Sequence, residues 1–325
     1  MRLTRKVKHG LDLKTELEKA RKVAVFAIEN RDKLSTKHVK HIGLNASIAN
    51  QVIRKYGLNR RAKIVSSIVL PIKARDTRMT KDGLYIIPLK SVIPFHGKVA
   101  GQIELGSTYA HVPVEVREQK QYKPKKIIGV DLNTTGHSAV VAVGKKIYKL
   151  GKAASHTHRK YSTIRKNMQR LGHYGVVKKI GKRESNIMRD INHKTSRYIV
   201  NIAKKNKAQI NLEDLRGIKG RRVKKSFRHA LHSWGFYQLR TFIEYKSLLA
   251  GVPVVKIEPA YTSKVCSRCG LLGTRNGKSF KCPSGHVEHA DANAAFNIAS
   301  PKYAQLYADS VAYKRTSDSR QMAPA

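Results

Sequence analysis

Between residues 12 and 30 the apolar positions Leu13, Leu17, Ala20, Ala24, Ala27 and Ile28 recur every three or four places. That spacing puts one face of a helix against a core, with Asp12 placed to cap it. A second helix is predicted over "NASIANQVIRKYG", opened by Asn45 and closed by Gly57. With "STKHVKHIGLN" ahead of it, this segment has the outline of a helix-turn-helix, although two short helices around a glycine also arise from ordinary packing. From residue 62 to about 117 the pattern changes to short apolar runs, "AKIVSSIVLPIK", "GLYIIPLKSVIPF" and "AHVPVEVRE", punctuated by Gly and Pro. These predict a small β-barrel.

Residues 118 to 126 are polar and basic and carry Pro124, which marks a domain boundary. Beyond it, "KKIIGVDLNTTGHSAVVAVGKKIYKL" gives three apolar runs split by "NTTGH" and "GKK", a three-stranded antiparallel meander. Residues 155 to 206 read as one or two long basic helices broken near Gly172 to Gly181, and "AQINLEDL" as a strand. A cation-dense loop leads to a helix through "FYQLRTFIEYKSLLA" and a strand in "VPVVKIEP". The last residues, 311 to 325, lack periodicity and are expected to be disordered, and there is no internal repeat.

Charge changes the picture most. Against 66 Lys and Arg stand only 21 Asp and Glu, a formal charge of +45. Such a chain repels itself unless a polyanion covers it, and nucleic acid is the expected one. No apolar run approaches the roughly 20 residues needed to span a bilayer, and "MRLTRKVKHG" is not followed by a signal-peptide core, so no membrane partner and a cytoplasmic, nucleoid-associated location are expected. All three cysteines sit in one short region, an odd count that argues for metal binding in a reducing compartment over a disulfide framework. No Gly-rich phosphate loop with Lys-Ser/Thr and no serine or cysteine triad is present.

Three strands, helix, strand, helix, strand is the order of a ribonuclease H-like nuclease core, an α/β fold. Such a site needs carboxylates from distant parts of the chain to hold two Mg²⁺ ions around a phosphate. Asp131 on the first strand, Glu213 on the fourth and Asp291 after the cysteines occupy the required stations. Each has a plainer reading: Asp131 as a turn cap ahead of Asn133, Glu213 as one of two solvated acids that the strand end "LEDL" offers to Arg216, and Asp291 as a cap of "ANAAFNIA".

"GVDLN", "NLEDL", "SWGFYQLRTFIEYK", "YTSKVCSRCG" and "HADANAAFNIA" together resemble, in order, the motifs of TnpB, the OrfB-type protein of insertion sequences and relative of the miniature type V CRISPR effectors. The resemblance covers about residues 125 to 299 and is only architectural before them. It implies an RNA-guided, Mg²⁺-dependent DNA endonuclease encoded by a prokaryotic transposable element, with guide RNA and target DNA as partners and cleavage beside a short flanking motif. It also implies a wedge-type barrel with a helical recognition insert over 1–120, helices at about 12–57, and a RuvC-like nuclease domain over 121–265 and 287–310. Asp131, Glu213 and Asp291 become its metal-binding catalytic acids. Alternatives are a nuclease-silent RNA-guided repressor, a guide-free ribonuclease H-like nuclease or resolvase, and a structural RNA-binding protein.

The same resemblance makes residues 266–286 a zinc-finger insertion. Cys266 and Cys269 form one C-x-x-C knuckle; Cys282 opens a second that the family completes with a further cysteine, here missing. Zn²⁺ accepts Cys₃His, so His286 is the expected fourth ligand, with His289 as the substitute. Among other residues, His137, His156, His158, His229 and His232 are taken as solvated or phosphate-contacting. Thr262, Ser263 and Lys264, with Tyr261, are expected to touch phosphate. Trp234, Phe236 and Tyr245 read as helix core, and the cationic loop 216–228 as a guide or target contact.

Overall fold

The computed structural model describes residues 1–300 apart from 33, 134–135, 215–233 and 258–261. The cationic loop 216–228, Tyr261, His229, His232 and the tail 311–325 therefore lie outside the described residues, as do the side chains of Trp234 and Phe236. The chain divides into two compact units, Met1–Arg117 and Glu118–Ala325.

In the first unit, β1 (Arg2–Lys8) pairs antiparallel with β7 (Tyr109–Glu115), which continues through β6 (Ile103–Leu105) to β2 (Leu70–Ile72). Strict alternation along β7 turns Ala110, Val112 and Val114 inward. Helices α1 (Lys14–Glu29) and α2 (Ala46–Gly57) cover this core with Ala20, Val23, Ala24 and Ala27 from one and Ile48, Ala49, Val52 and Ile53 from the other. The small residues of α1 let its axis come close to what it covers.

Four details depart from the sequence expectation. The strands do not close into one hydrogen-bonded barrel among the described residues. β3 (Thr77–Thr80), β4 (Gly83–Ile86) and β5 (Ser91–Ile93) form a separate three-stranded sheet that shares the core. β1 was not expected, because Arg2, Arg5, Lys6 and Lys8 dominate it and leave only Leu3 and Val7 as an inward signal. Residues Thr36–Ile42 form a 3₁₀ helix, so this region holds no pair of α-helices. Finally, α1 starts one residue later than expected; Leu13 is its N-cap, while Asp12 Oδ1 accepts the Lys14 N–H at 3.1 Å.

The second unit is built on a five-stranded sheet in the order β10-β9-β8-β11-β12. β8 (Lys126–Leu132), β9 (Ala139–Val143) and β10 (Lys146–Leu150) form the antiparallel meander, and β11 (Ala208–Glu213) and β12 (Val254–Ile257) extend it in parallel. A sheet covered on both faces calls for continuous apolar runs, as in "IIGV" and "AVVAV". One face, with Ile128, Val130, Val141, Ile210 and Leu212, packs on Ile199, Val200 and Ala203 of α4 (Tyr174–Lys205) and on Leu239 and Ile243 of α5 (Trp234–Ala250). α3 (Lys152–Arg170) lies against α4, and Glu184, buried between them, binds His158 at 3.0 Å and also Arg165. The break between these helices falls at 171–173, where Gly172 has φ +73°, and α4 runs unbroken past Gly181.

The opposite face carries the side chains of the other parity: Gly129 and Asp131 on β8, Asn211 and Glu213 on β11. α6 (Ala290–Ala299) covers this face. A Cβ on Gly129 would stand 2.1 Å from Ala295 O and 2.3 Å from Ala299 N, so α6 lies directly on the strand backbone. Asn211 Nδ2 secures the contact by donating to Ile298 O at 2.9 Å. Leu212 pairs with Val130, and the next residues on this face are Glu213 and Asp131. Gly129→Ala is therefore expected to lower stability by about 1–3 kcal/mol, because backbone and not a flexible side chain must move. Thermal unfolding followed by circular dichroism checks this; an unchanged midpoint would contradict so close a seating.

Candidate active site

Asp131 is 8% exposed near the end of β8, and its Oδ2 accepts a hydrogen bond from Asn133 Nδ2 at 2.8 Å. Burial foremost, then the charge of Glu213 and more weakly that of Asp291, push its pKa well above the usual carboxylate range, against the Asn133 hydrogen bond and the Lys278 ammonium. Glu213 ends β11. Its Oε1 accepts a 2.5 Å hydrogen bond from Thr262 Oγ1, and burial raises its pKa to about 7 although Thr262 and Arg275 act to lower it. Asp291 is 2% exposed in the first turn of α6, where the helix dipole favours an anion. Lys278 Nζ lies 2.6 Å from its Oδ2 and Arg275 Nη2 3.5 Å from its Oδ1, yet Oδ1 accepts no hydrogen bond among the described residues. Glu213 and Asp291, both distant from Asp131 in sequence, each act on it by their charge, so the fold gathers the three acids on one side of the sheet. Lys278 ties two of them together, since its Nζ is also 3.5 Å from Asn133 Oδ1.

Arg275 and Lys278 come from a small antiparallel sheet of β13 (Thr274–Asn276), β14 (Ser279–Lys281) and β15 (Val287–His289), which runs straight into α6. Beside it Cys266, Cys269, Cys282 and His286 bring their ligand atoms within 4.8 Å of one another. Cys269 Sγ is 3.3 Å from Cys282 Sγ, and Cys266 Sγ is 3.5 Å from His286 Nδ1. Tetrahedral bonds of about 2.3 Å imply S–S edges of about 3.8 Å, so this donor set is compatible with a zinc site. The Leu271 backbone N–H, foremost, lowers the Cys269 pKa to about 6, toward the thiolate a metal needs. Gly285, at φ +79°, lets the chain turn back from Cys282 to His286. His289, the substitute ligand of the sequence reading, is not in this cluster; its Nδ1 lies 4.0 Å from Asp291 Oδ2.

The cluster and the acids are joined by asparagines of α6. Asn293 donates to Val265 O at 2.8 Å and accepts from Ser267 N at 2.9 Å, and Asn297 donates to Thr262 O and Val265 O, both at 2.7 Å. Residues 262–267 are thereby clamped to the helix that carries Asp291.

Residues 236–298 match the family model described as Cas12f1-like, TNB domain. Over 302 residues the chain is 30% identical to the CRISPR-associated endodeoxyribonuclease Cas12f1 of Sulfoacidibacillus thermotolerans, covering 84% of this chain and 67% of that one. The chain belongs to the TnpB and Cas12f family. It is also 33% identical over 158 residues to a TnpB-like protein of Methanocaldococcus jannaschii, 47% of this chain and 57% of the relative. The putative RNA-guided DNA endonuclease InsQ of Escherichia coli is 33% identical over 140 residues, 38% of this chain and 34% of the relative. The alignments therefore leave a third or more of each of these relatives' lengths unmatched.

The motifs that carry resemblance to the TnpB and Cas12f family build the site described above. "GVDLN" ends β8, "NLEDL" ends β11, and "HADANAAFNIA" is α6 with its clamping asparagines. The "RTFIEYK" helix supplies Arg240, whose Nη2 lies 3.4 Å from Asp214 Oδ1 and whose Nε donates to Glu244 at 3.1 Å. Among the described residues, Asp214 is thus the strand-end acid that forms an ion pair with an arginine. Thr262, expected to touch phosphate, is instead buried and holds Glu213. His158 Nδ1 lies 3.0 Å from Glu184 Oε1, a partner that the sequence reading did not assign to it. Sequence reasoning missed Arg275 and Lys278, although the Gly in "TRNGKS" signals a hairpin, whose turn at Gly277 and Lys278 follows the strand that carries Arg275.

A carboxyl whose pKa is raised on folding stabilises the fold fully below its unfolded value and loses that stabilisation as pH rises through the folded one. For Glu213 the window runs from 4.5 to about 7. In chelator-treated protein the thermal midpoint should therefore fall across this window, and Glu213→Gln should flatten the fall. Equal slopes for the two proteins would show that Glu213 titrates normally.

Proposed function

We propose that this chain is an RNA-guided DNA endonuclease encoded by a transposable element, cutting DNA beside a short flanking motif in a RuvC-like domain. The observation that carries the reading is the convergence of Asp131, Glu213 and Asp291 on one side of the sheet, where burial raises the pKa of Asp131 and of Glu213 and Asp291 is only 2% exposed. The names of the relatives, an endodeoxyribonuclease and a putative RNA-guided DNA endonuclease, support the same reading. The +45 charge suits two nucleic-acid partners, a guide RNA and a target DNA. Target choice would rest on base pairing with the guide, leaving the protein to read shape and the flanking motif. In this scheme residues 1–120 form the wedge and recognition part, 121–265 and 287–310 the nuclease, and 266–286 the finger. No helix among the described residues is long and apolar enough to cross a membrane, and the reading implies a cytoplasmic, nucleoid-associated protein.

The residues fit a divalent metal: they are hard oxygen donors, mutually repelling, and Asp291 Oδ1 is buried without a hydrogen bond among the described residues. Asp131, Glu213 and Asp291 would hold Mg²⁺, two ions in the simplest scheme, which supply an activated water and neutralise the leaving oxygen. Asn133 fixes the Asp131 carboxylate and Thr262 that of Glu213, so both acids keep one orientation. Arg275 and Lys278 hold Asp291 and keep the acid set from repelling itself apart.

Asp131→Ala should reduce Mg²⁺-dependent cleavage of guide-matched DNA on the order of a hundredfold or more while leaving DNA binding by the RNA complex within about twofold. Cleavage of branched DNA by RNA-free protein would instead identify a guide-free nuclease, and no cleavage by the wild-type complex would identify a repressor.

For the finger, Cys266, Cys269, Cys282 and His286 would hold one Zn²⁺ that fixes the platform before α6. Elemental analysis should find about one zinc per chain, lost in His286→Ala and kept in His289→Ala. Equal retention in both variants would remove His286 as a ligand.

A further inference from the structure

At the end of the sheet away from the acids, Lys126, Lys145, Lys146 and Lys205 ring a cavity of about 720 Å³ walled by Tyr148 and Tyr198. No acid lines it, and none of these four lysines forms an ion pair among the described residues. The Tyr148 and Tyr198 rings meet edge to face at 6.5 Å, and Tyr198 remains 49% exposed, its ring held by a neighbour yet open to a further stacking partner. A second cavity of about 490 Å³ shares Tyr198 and Asn201 and adds Lys194 and Arg197, so the trough continues along α4.

We infer that this trough binds a short unpaired stretch of the guide RNA, one base stacked at Tyr198 and its phosphates held by the surrounding lysines. The inference rests on the RNA-guided reading of the chain. A duplex would present only phosphates and leave the concavity and the rings unused, because its bases are stacked inside; an unpaired strand brings both phosphate and base. The volume falls in the usual range of pockets that take a molecule the size of a nucleotide, about 300–1,000 Å³. The Asn206 carboxamide donates to Ile202 O at 2.8 Å and keeps its oxygen for a base edge or a ribose hydroxyl. RNA fits better than the strand being cut, because Lys126 and Asp131 stand at opposite ends of β8, roughly 16 Å apart.

The test uses the full chain, freed of RNA by nuclease and high salt, with a short fluorescein-labelled oligouridylate, an oligothymidylate of equal length and an RNA duplex as probes in fluorescence anisotropy. Tyr198→Ala should weaken oligouridylate binding about tenfold, the scale of one lost base stack, while Tyr198→Phe keeps it. Duplex binding should stay within about twofold in both variants. Lys145→Ala with Lys146→Ala should lower the salt slope for oligouridylate by roughly 0.7 per lysine. The pocket is overturned if Tyr198→Ala leaves oligouridylate binding unchanged, or if the duplex or oligothymidylate loses as much. Sequencing the RNA that co-purifies with the wild-type chain separates the two readings. A guide present with Tyr198→Ala silent sinks only the pocket, whereas no guide sinks the parent reading.

Discussion

The contact on which the second unit depends is the seating of α6 on the bare backbone of β8 at Gly129. Any side chain there would meet the helix backbone at 2.1 Å. Because α6 lies against the strand itself, the first turn of the helix comes down beside the two residues that follow on the same face. Three acids from residues 131, 213 and 291 are thus brought together by a residue that has no side chain. The arrangement is costly to the isolated protein, since buried like charges oppose one another. Two cations from the neighbouring hairpin, Arg275 and Lys278, offset part of that cost.

Those cations also explain why a finger sits where it does. The hairpin that carries them lies between Cys269 and Cys282, and the helix that carries Asp291 grips residues 262–267 through Asn293 and Asn297. Thr262 lies in the gripped segment and holds Glu213. Displacement of the cysteine cluster would therefore reach two of the three acids through hydrogen bonds of 2.9 Å or less.

Much of this was legible in the sequence, for physical reasons that differ by element. The meander, β11, β12 and α6 announce themselves through apolar runs, because a doubly covered sheet needs them. Asp131 and Glu213 stand out as charges within such runs. The closeness of α6 to β8 was not legible, since "IIGVD" gives no sign that its glycine faces a helix. β1 was hidden by cations on its solvated side, and its pairing with β7 spans more than a hundred residues. The barrel expectation failed because strand patterning reports alternation, and not which edges meet. The orientation of His289 was equally silent: spacing offered two histidines to the cysteines, and the fold directs one of them to Asp291.

Glu184 has a consequence of its own. α3 and α4 are both rich in lysine and arginine, and side by side they should push apart. One buried carboxylate, bound to His158 and Arg165 across the pair, supplies the counterion from within. It also fixes the register, because the alignment of the helices must let both side chains reach it. The hairpin then acts as a strut, about 28 Å long over its shorter arm, with a counterion built in between two like-charged beams.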